Sequence, residues 1–388
     1  MVLHLRMDYL GKRRDKSLYW FADLLPWIKD WDYYTSDNMI MKSPILIIVA
    51  TLLLAGSAHG VDWGKERPIV VSSGAAQEQP DIDGHIIVWA DNRSGNYDIF
   101  MYDLETGLER WVCINPLFQI SPAVSGERIV WQDMRSGNAD IYMYDAVNRT
   151  ETSITTAEGN QTQPDISGNY VIWSDDRDGA SNIYLYDLKT RMEKRISSSQ
   201  NDQIEPKISG DRALWMDKRS GDFDIYMYEI NGSIESPLVT GKGDQSFPSI
   251  DGDLVAWTDN SSGESDIGYL NLSNKQQKSL RKPGMQTSPS VYKNFISYLN
   301  NGTEVWLYDT KSEKDFQLVP GSIKMEPSIS DRGVVWADYR AGPKDPDIYM
   351  FDFSILADIP ITSGAFNHTN PSISGDNIVW TDDRNGHF

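Results

Sequence analysis

The sequence has a single cysteine, Cys113, and only five histidines among 388 residues. One cysteine excludes an intrachain disulfide, so a hydrophobic core has to stabilise the fold. The histidines show no H-x-H or H-E-x-x-H spacing, which argues against a zinc site. No G-x-S-x-G motif and no glycine-rich phosphate loop is present, so neither a serine nucleophile elbow nor a nucleotide cofactor is expected.

Basic residues are scarce as well, and long apolar runs are absent. There are 36 Lys and Arg against 56 Asp and Glu, a net charge of −20. Such a surface repels phosphate backbones, so no nucleic-acid partner is expected. The longest apolar run, Pro44 to Leu54, is shorter than the roughly 20 residues that span a membrane.

This run follows Lys42 and precedes the small residues of 56–58, the pattern of a secretory signal peptide. We interpret 39–60 as a signal peptide, and the alternative is an uncleaved signal anchor. Contact with a membrane is expected only if the anchor alternative holds. Because a signal peptide starts at the initiator methionine, 1–38 is interpreted as a non-native upstream extension.

Eight N-x-S/T sequons also favour an exported glycoprotein, secreted or on the cell surface. They are Asn92, Asn148, Asn160, Asn231, Asn260, Asn271, Asn301 and Asn367.

A repeat of about 42 residues runs through most of the chain. Each copy has a leading proline, a short apolar run that ends in an aromatic residue, and a D-I-Y-like segment. The aromatic residues are Trp89, Trp131, Trp173, Trp215, Trp257, Tyr298, Trp336 and Trp380. Periods of roughly 40–50 residues built from short strands are typical of propeller blades.

One repeat predicts four strands. In 163–199 the proline opens the first strand, Tyr170–Trp173 is a continuous apolar run covered on both faces, and a turn-rich loop leads to Asn182–Asp187. The charged segment 190–197 suits an exposed outer edge. The sequence therefore predicts an all-β propeller of four-stranded antiparallel blades.

The propeller is assigned to 66–388. Seven repeats are complete between Pro80 and Gly364. Arg67–Ser73 is predicted to be a lone outer strand, and Pro371–Asp382 supplies two inner strands of a partial eighth repeat. An eight-bladed ring truncated in its last blade is favoured, and a seven-bladed ring is the alternative.

The pattern P-x-I-S-G-x-x-I-V-W-x-D-x-R-x-G-x-x-D-I-Y-M-Y-D resembles the repeat of TolB-like, WD40-like propellers. It resembles more closely the tandem propeller repeats of cell-surface proteins from methanogenic archaea. The chain differs from the TolB repeat in carrying S-G where that repeat has S-P-D-G. The resemblance implies the propeller fold but no particular activity, because propellers host many functions.

The loop D-x-R-x-G-x-x-D is the most regular polar feature. One hypothesis is a ring of carboxylates and guanidiniums that binds Ca²⁺ or an anionic glycan. We favour the other, in which each Arg pairs with its own Asp and ties the hairpin to the blade. The structural repeat positions are Trp89, Asp91, Arg93, Trp131, Asp133, Arg135, Trp173, Arg177, Trp215, Asp217, Arg219, Trp257, Trp336, Arg340, Trp380 and Arg384.

Repeats five to seven depart from this pattern. Repeat five has Asp259-Asn260-Ser261 without the arginine, repeat six has Tyr298 for tryptophan, and repeat seven lengthens its loop around Pro343. Sequence drift accounts for such changes; if a ligand site exists, the face over these repeats is where we expect it.

No catalytic, cofactor-binding or metal-binding residue is assigned from the sequence. The chain is expected to be an exported binding or structural module for a protein or glycan, without catalytic activity. The alternative is an extracellular carbohydrate-active hydrolase or lyase, which rests on fold analogy and abundant carboxylates.

Overall fold

The computed structural model describes residues 2–6, 67–71, 75–342, 345–364 and 366–383. Within these residues the regular elements are all β-strands, and no helix there is long and apolar enough to cross a membrane. The predicted signal peptide at 39–60 and most of the predicted upstream extension lie outside the described residues, so both stay predictions.

The described strands form eight four-stranded antiparallel sheets. Seven are built from consecutive strands and are here called blades 1 to 7. The strands of blades 1 and 2 are β3 (Gln77–Asp83), β4 (Ile86–Asp91), β5 (Asp98–Asp103), β6 (Leu108–Cys113), β7 (Gln119–Ser125), β8 (Arg128–Asp133), β9 (Asp140–Asp145) and β10 (Thr150–Thr155). Those of blades 3 and 4 are β11 (Gln161–Ser167), β12 (Tyr170–Asp175), β13 (Asn182–Asp187), β14 (Met192–Arg195), β15 (Gln203–Ser209), β16 (Arg212–Asp217), β17 (Asp224–Glu229) and β18 (Ile234–Val239).

The remaining blades follow the same order. Blades 5 and 6 comprise β19 (Gln245–Asp251), β20 (Leu254–Asp259), β21 (Asp266–Asn271), β22 (Gln276–Leu280), β23 (Gln286–Tyr292), β24 (Phe295–Asn300), β25 (Glu304–Asp309) and β26 (Lys314–Val319). Blade 7 comprises β27 (Lys324–Ile329), β28 (Gly333–Asp338), β29 (Asp347–Asp352) and β30 (Ala357–Pro360).

The eighth sheet, here called the composite sheet, takes strands from both ends of the chain. Its order is β2 (Arg67–Val71), β1 (Val2–Arg6), β32 (Asn377–Asp382) and β31 (His368–Ser374). The outer position of β2 is the one predicted from the sequence. The third-strand place is filled by β1, a segment that the sequence pattern assigned to the upstream extension.

The fold class is therefore confirmed. Counted by continuous stretches of chain the propeller has seven complete blades, and the composite sheet adds an eighth of mixed origin. First strands contact first strands of neighbouring blades, which places them innermost.

Neighbouring blades are linked around the ring by a repeated hydrogen bond from a glycine backbone N–H to a serine hydroxyl. The Gly168 N–H donates to Ser125 Oγ of the preceding blade over 3.2 Å, and Gly252 donates likewise to Ser209. The same contact joins the composite sheet to blade 1, where Gly84 N–H donates to Ser374 Oγ over 3.1 Å. The composite sheet therefore closes the ring.

The core lies between the blades. Each repeat tryptophan is fully buried. In blades 2 to 5 and 7 it packs on strands of the preceding blade: Trp215, for example, lies against Ile172 and Leu185 of blade 3. Second strands are buried on both faces, as their continuous apolar sequence predicts. Fourth strands are largely exposed.

Candidate functional site

Blade 4 shows the contacts that the repeated D-x-R loop makes. Trp215 Nε1 donates to Asp217 Oδ2 over 3.1 Å, and the Arg219 backbone N–H donates to Asp217 Oδ1 over 2.9 Å. The Arg219 guanidinium donates to both carboxylate oxygens and to Glu235 on the fourth strand. It also lies 3.8 Å over the ring of Tyr226, which stacks on Trp215. These five residues, here called the arginine tie, connect the hairpin loop to the second, third and fourth strands.

The arginine tie recurs in four other blades with the same pairing. Its members are Trp89, Asp91, Arg93, Phe100 and Glu109 in blade 1; Trp131, Asp133, Arg135, Tyr142 and Glu151 in blade 2; Trp173, Asp175, Arg177, Tyr184 and Glu193 in blade 3; and Trp336, Asp338, Arg340, Tyr349 and Asp358 in blade 7.

The aspartate is the buried centre of each arginine tie. Its side chain is fully buried in all five blades, whereas the arginines are partly exposed. In blade 7, burial raises the pKa of Asp338, but hydrogen bonds from Arg340, Ser322 and Trp336 lower it to a net value of about 2. The charge of this aspartate is already neutralised by groups of its own blade. This arrangement favours a folding role for the loop over a ligand-binding one.

Three predicted repeat positions lie outside these five ties. Trp257 and Trp380 are buried at the equivalent places of blade 5 and the composite sheet. Arg384 lies outside the described residues. Among the described residues no group of three or more potential metal ligands comes together, and a Ca²⁺ site stays a hypothesis.

Blade 5 has lost three of the five members of the tie. Ser261 stands in place of the arginine, Gly268 in place of the aromatic residue and Gln277 in place of the acid. Trp257 and Asp259 remain. Asp259 accepts a hydrogen bond from the Ser261 backbone N–H over 2.9 Å, but no cation among the described residues pairs with it.

Blade 6 also lacks the arginine, yet a cation takes its place. Gly302 stands at the arginine position, and Trp306 and Asp315 supply the aromatic and acidic members. Lys282, from the segment that links blades 5 and 6, lies 3.7 Å over the Trp306 ring and 3.0 Å from Asp315. Tyr298 and Asn300 replace the tryptophan and the aspartate, so Lys282 stands in for the arginine only toward the aromatic ring and the fourth-strand acid.

In most blades the innermost strand begins with a buried glutamine. In blade 7 and in the composite sheet a basic residue takes this place. The first residue of β3, β7, β11, β15, β19 and β23 is glutamine, and each is buried. In blade 7 the equivalent residue is Lys324, whose Nζ lies 3.7 Å from Asp338 and donates to the Thr303 carbonyl. Burial lowers the pKa of Lys324 below that of an exposed lysine, although Asp338 opposes the shift.

In the composite sheet the equivalent residue is His368. It lies 3.2 Å from Asp347 of blade 7 and 3.2 Å from Asp382 of its own sheet. Burial lowers the pKa of His368, but the hydrogen bonds and charges of the two carboxylates raise it to a net value of about 9. The imidazolium therefore bridges blade 7 and the composite sheet.

The innermost strands border an open cavity of about 430 Å³, here called the channel mouth. Asp165, Glu205, Lys207, Phe247 and Ser249 line it. Phe247 is 62% exposed, an unusual position for a large aromatic side chain. The channel mouth therefore presents an aromatic ring beside charges of both signs.

The carboxyl groups along these strands connect neighbouring blades. Asp165 accepts backbone hydrogen bonds from Ile166 and, in blade 4, from Ile208, each over 2.9 Å; Asp81 does the same between blades 1 and 2. Burial raises the pKa of Asp81 to about 6, although these hydrogen bonds oppose the shift. Burial likewise raises the pKa of Asp165, against the opposing effect of Lys207.

Sequence reasoning missed several of these residues. The glutamates Glu109, Glu151, Glu193 and Glu235 follow their arginines by 16 residues each, a regular spacing that was open to detection. Lys282 gave no such signal, because it lies in a linker and reaches its partners only through the packing of two blades.

Comparison with known proteins gives a family match and a set of similar folds. The family model described as TolB beta propeller domain matches residues 68–290. No curated protein gives a significant match. Among solved structures, TolB from Acinetobacter baumannii is 21% identical with a TM-score of 0.41, and the match covers 59% of this chain and 60% of that one.

Two further structures are similar over more of this chain. The β-propeller domain of the Trilobed protease from Pyrococcus furiosus is 12% identical with a TM-score of 0.53, covering 76% of this chain and 97% of that one. The acylaminoacyl peptidase of Pyrococcus horikoshii is 13% identical with a TM-score of 0.52, covering 79% and 57% respectively. The chain thus spans less than two thirds of TolB and of the peptidase, and the likenesses to the two Pyrococcus proteins show the fold alone.

Proposed function

Since the chain belongs to the TolB beta propeller domain family, we propose that it is an exported, non-catalytic binding module that engages a protein ligand at the channel mouth. The resemblance of its repeat to those of cell-surface proteins from methanogenic archaea supports a place outside the cytoplasm. The sequons agree with this location, since none of the eight asparagines is buried.

The observation that carries the proposal is the variation among the innermost strands. The tryptophan and proline positions repeat nearly unchanged, whereas the residue before each proline differs in size and charge. These residues are Gln79, Ser121, Gln163, Glu205, Phe247, Ser288, Glu326 and Asn370. Varied side chains on a repeated scaffold are typical of recognition surfaces, and an exposed aromatic residue among charged ones is typical of a protein interface.

The alternative, a carbohydrate-active hydrolase or lyase, needs a pair of free carboxyl groups that flank the scissile bond. On the innermost strands, Asp81, Asp165 and Glu326 have raised pKa values, but their oxygens accept backbone hydrogen bonds that join adjacent sheets. The geometry therefore favours binding over hydrolysis.

The proposal is tested with the full chain immobilised and exposed to solubilised envelope proteins of its own cell. One partner is expected to be retained by the wild type and lost with Phe247→Ser. Val147→Ser is the matched control, because Val147 is also an exposed apolar residue (70%) but lies away from the channel mouth. Equal retention by both variants overturns the proposed surface.

A glycan array and a product assay on the same preparations address the other readings. Specific glycan binding that Phe247→Ser abolishes replaces the protein ligand with a glycan. Turnover of a polysaccharide overturns the non-catalytic assignment. Sequencing the mature N-terminus of the native protein tests export: cleavage after about residue 58 is expected, and a retained Met1 contradicts the signal peptide.

A further inference from the structure

The three replacements in blade 5 open one continuous space. In the other ties the arginine, the aromatic ring and the acid touch one another, so shortening all three leaves a single gap. A cavity of about 360 Å³ occurs there, lined by Trp257, Asp259, Ser261, Gln277 and Arg281 among others. We call it the blade-5 slot. Its volume falls in the usual range for ligand pockets.

Two polar groups of the slot have lost their partners. Trp257 Nε1 is fully buried and has no hydrogen-bond acceptor, whereas Trp215 Nε1 donates to Asp217. Asp259 keeps its place two residues after the tryptophan but has no cation. A buried donor without an acceptor is rare and destabilising, so the slot keeps the indole N–H and the aspartate of a tie but lacks its arginine and its fourth-strand acid.

The glycine exposes the indole to the slot. A Cβ atom at residue 268 would overlap the Trp257 ring, which shows that the indole lies where any longer side chain at this position would begin. A flat aromatic ring therefore still forms one wall of the slot. In the complete ties the arginine stacks on the aromatic ring of the third strand, at 3.7–4.3 Å from the ring centre, and in blade 5 the Trp257 indole lies over the third-strand residue Gly268 instead.

We propose that the blade-5 slot binds the guanidinium group of an arginine side chain from a protein partner. The incoming guanidinium takes the place of the missing arginine side chain: it stacks on the Trp257 indole and donates to the Asp259 carboxylate, which has no cation of its own. A planar donor suits this geometry better than an ammonium group, since the carboxylate accepts two parallel N–H bonds and the ring accepts the flat face.

The cations already near the slot have other partners. Lys278 Nζ lies 2.6 Å from Glu313, and Lys282 completes the tie of blade 6. Arg281 is 71% exposed, with Nε 4.0 Å from Asp266. Arg281 also lines the slot and has only this long contact to Asp266, so the test includes its removal.

This site is separate from the channel mouth, and its test is independent of the proposed function. The probe is a blocked tripeptide, acetyl-Gly-Arg-Gly-amide, titrated into the whole chain by calorimetry or NMR. The same peptide with citrulline is the matched ligand control, because citrulline keeps the planar shape and removes the charge. Binding of the arginine peptide at least tenfold tighter than the citrulline peptide is expected.

Protein variants locate the binding. Asp259→Asn is expected to weaken it at least tenfold, and Ser261→Arg to abolish it by filling the slot from within. Glu264→Gln, which removes an exposed carboxylate of the same loop outside the cavity lining, is expected to leave the affinity unchanged. Retained folding of each variant is checked by its near-ultraviolet circular dichroism.

Three results overturn the proposal. One is equal affinity for the arginine and citrulline peptides. Another is unchanged binding by Ser261→Arg. The last is absence of binding by both the wild type and Arg281→Ala, since removing Arg281 takes away the internal competitor. Tighter binding by Arg281→Ala than by the wild type supports the slot and identifies Arg281 as that competitor.

Discussion

The first four blades and the later ones use the same scaffold in different ways. Blades 1 to 4 each contain a complete arginine tie drawn from their own repeat. Among the later sheets, blade 5 leaves the cation place empty, blade 6 takes Lys282 from a linker, blade 7 adds the buried Lys324, and the composite sheet carries His368. The first four blades therefore share one source of the cation, whereas each later sheet has a different one or none.

We infer from this difference that complete ties serve folding, whereas the incomplete tie of blade 5 is available for recognition. A complete tie neutralises its buried carboxylate within the blade. A tie without its cation keeps a carboxylate and an indole N–H that an external group can satisfy. The comparison therefore predicts that equivalent substitutions have large effects in blade 4 and small effects in blade 5.

The largest effect is expected at the aspartate. Asp217→Ala removes the acceptor for Trp215 and Arg219 at a fully buried position, so a decrease of about 3–5 kcal/mol in the free energy of unfolding is expected. Asp259→Ala removes a carboxylate with no cationic partner, and we expect about 1 kcal/mol or less. Urea denaturation measures both; guanidinium salts are avoided because they are ligands of the proposed slot. Equal losses contradict the distinction between the two blades.

The second effect concerns His368 and depends on pH. Its pKa in the folded protein is about 9 against 6.5 unfolded, so the stabilisation is fully present below about pH 6.5. It is lost as the pH rises through about 9, a change of about 3 kcal/mol. The imidazolium facing Asp347 and Asp382 is the physical source of this dependence.

His368→Gln introduces the residue that six blades carry at this place. It is expected to flatten the dependence of the urea midpoint on pH between 6.5 and 9. A variant with the wild-type slope would show that His368 is neutral in the folded protein.

The sequence predicted the repeated strands but not the residues that replace the arginine in the later blades. The 42-residue spacing was sufficient to place the strands, because each apolar run has to be covered by a neighbouring blade, and the pairing of each arginine with its own aspartate was the favoured interpretation. That this pairing serves folding stays a prediction until Asp217→Ala is measured.

The exchanges in later blades depend on contacts between segments that the repeat does not align. Lys282 lies 20 residues before the place it serves at 302, and nothing in its local sequence indicates a partner in blade 6. The pairing of β1 with β32 joins residues more than 370 positions apart, and no local pattern specifies such a partner. The missing arginine of blade 5 was evident from the sequence. That Gly268 and Gln277 lie next to this gap followed only from the strand register.

The third effect is a gain. Ser261→Arg combined with Gly268→Tyr and Gln277→Glu rebuilds the tie in blade 5. The tyrosine fills the slot and moves the indole back to the stacked position, so Trp257 Nε1 reaches Asp259 again. An increase of about 1–2 kcal/mol in the free energy of unfolding is expected, measured by urea denaturation. Ser261→Arg alone serves as the control and is expected to gain less, because it lacks the aromatic platform. A triple variant no more stable than the single one shows that the slot is not an unfilled arginine place.

The smallest effect is expected at Lys282, which tests whether the linker cation of blade 6 acts as the arginines do. Lys282 is 22% exposed and interacts with both Trp306 and Asp315. Lys282→Gln is therefore expected to lower the free energy of unfolding by about 1 kcal/mol. Lys278→Gln is the matched control, because Lys278 pairs with an exposed glutamate on the same edge and such pairs contribute about 0–0.5 kcal/mol. If both changes cost the same, the contact with Trp306 is incidental, and blade 6 joins blade 5 as a sheet that keeps its fold without a cation.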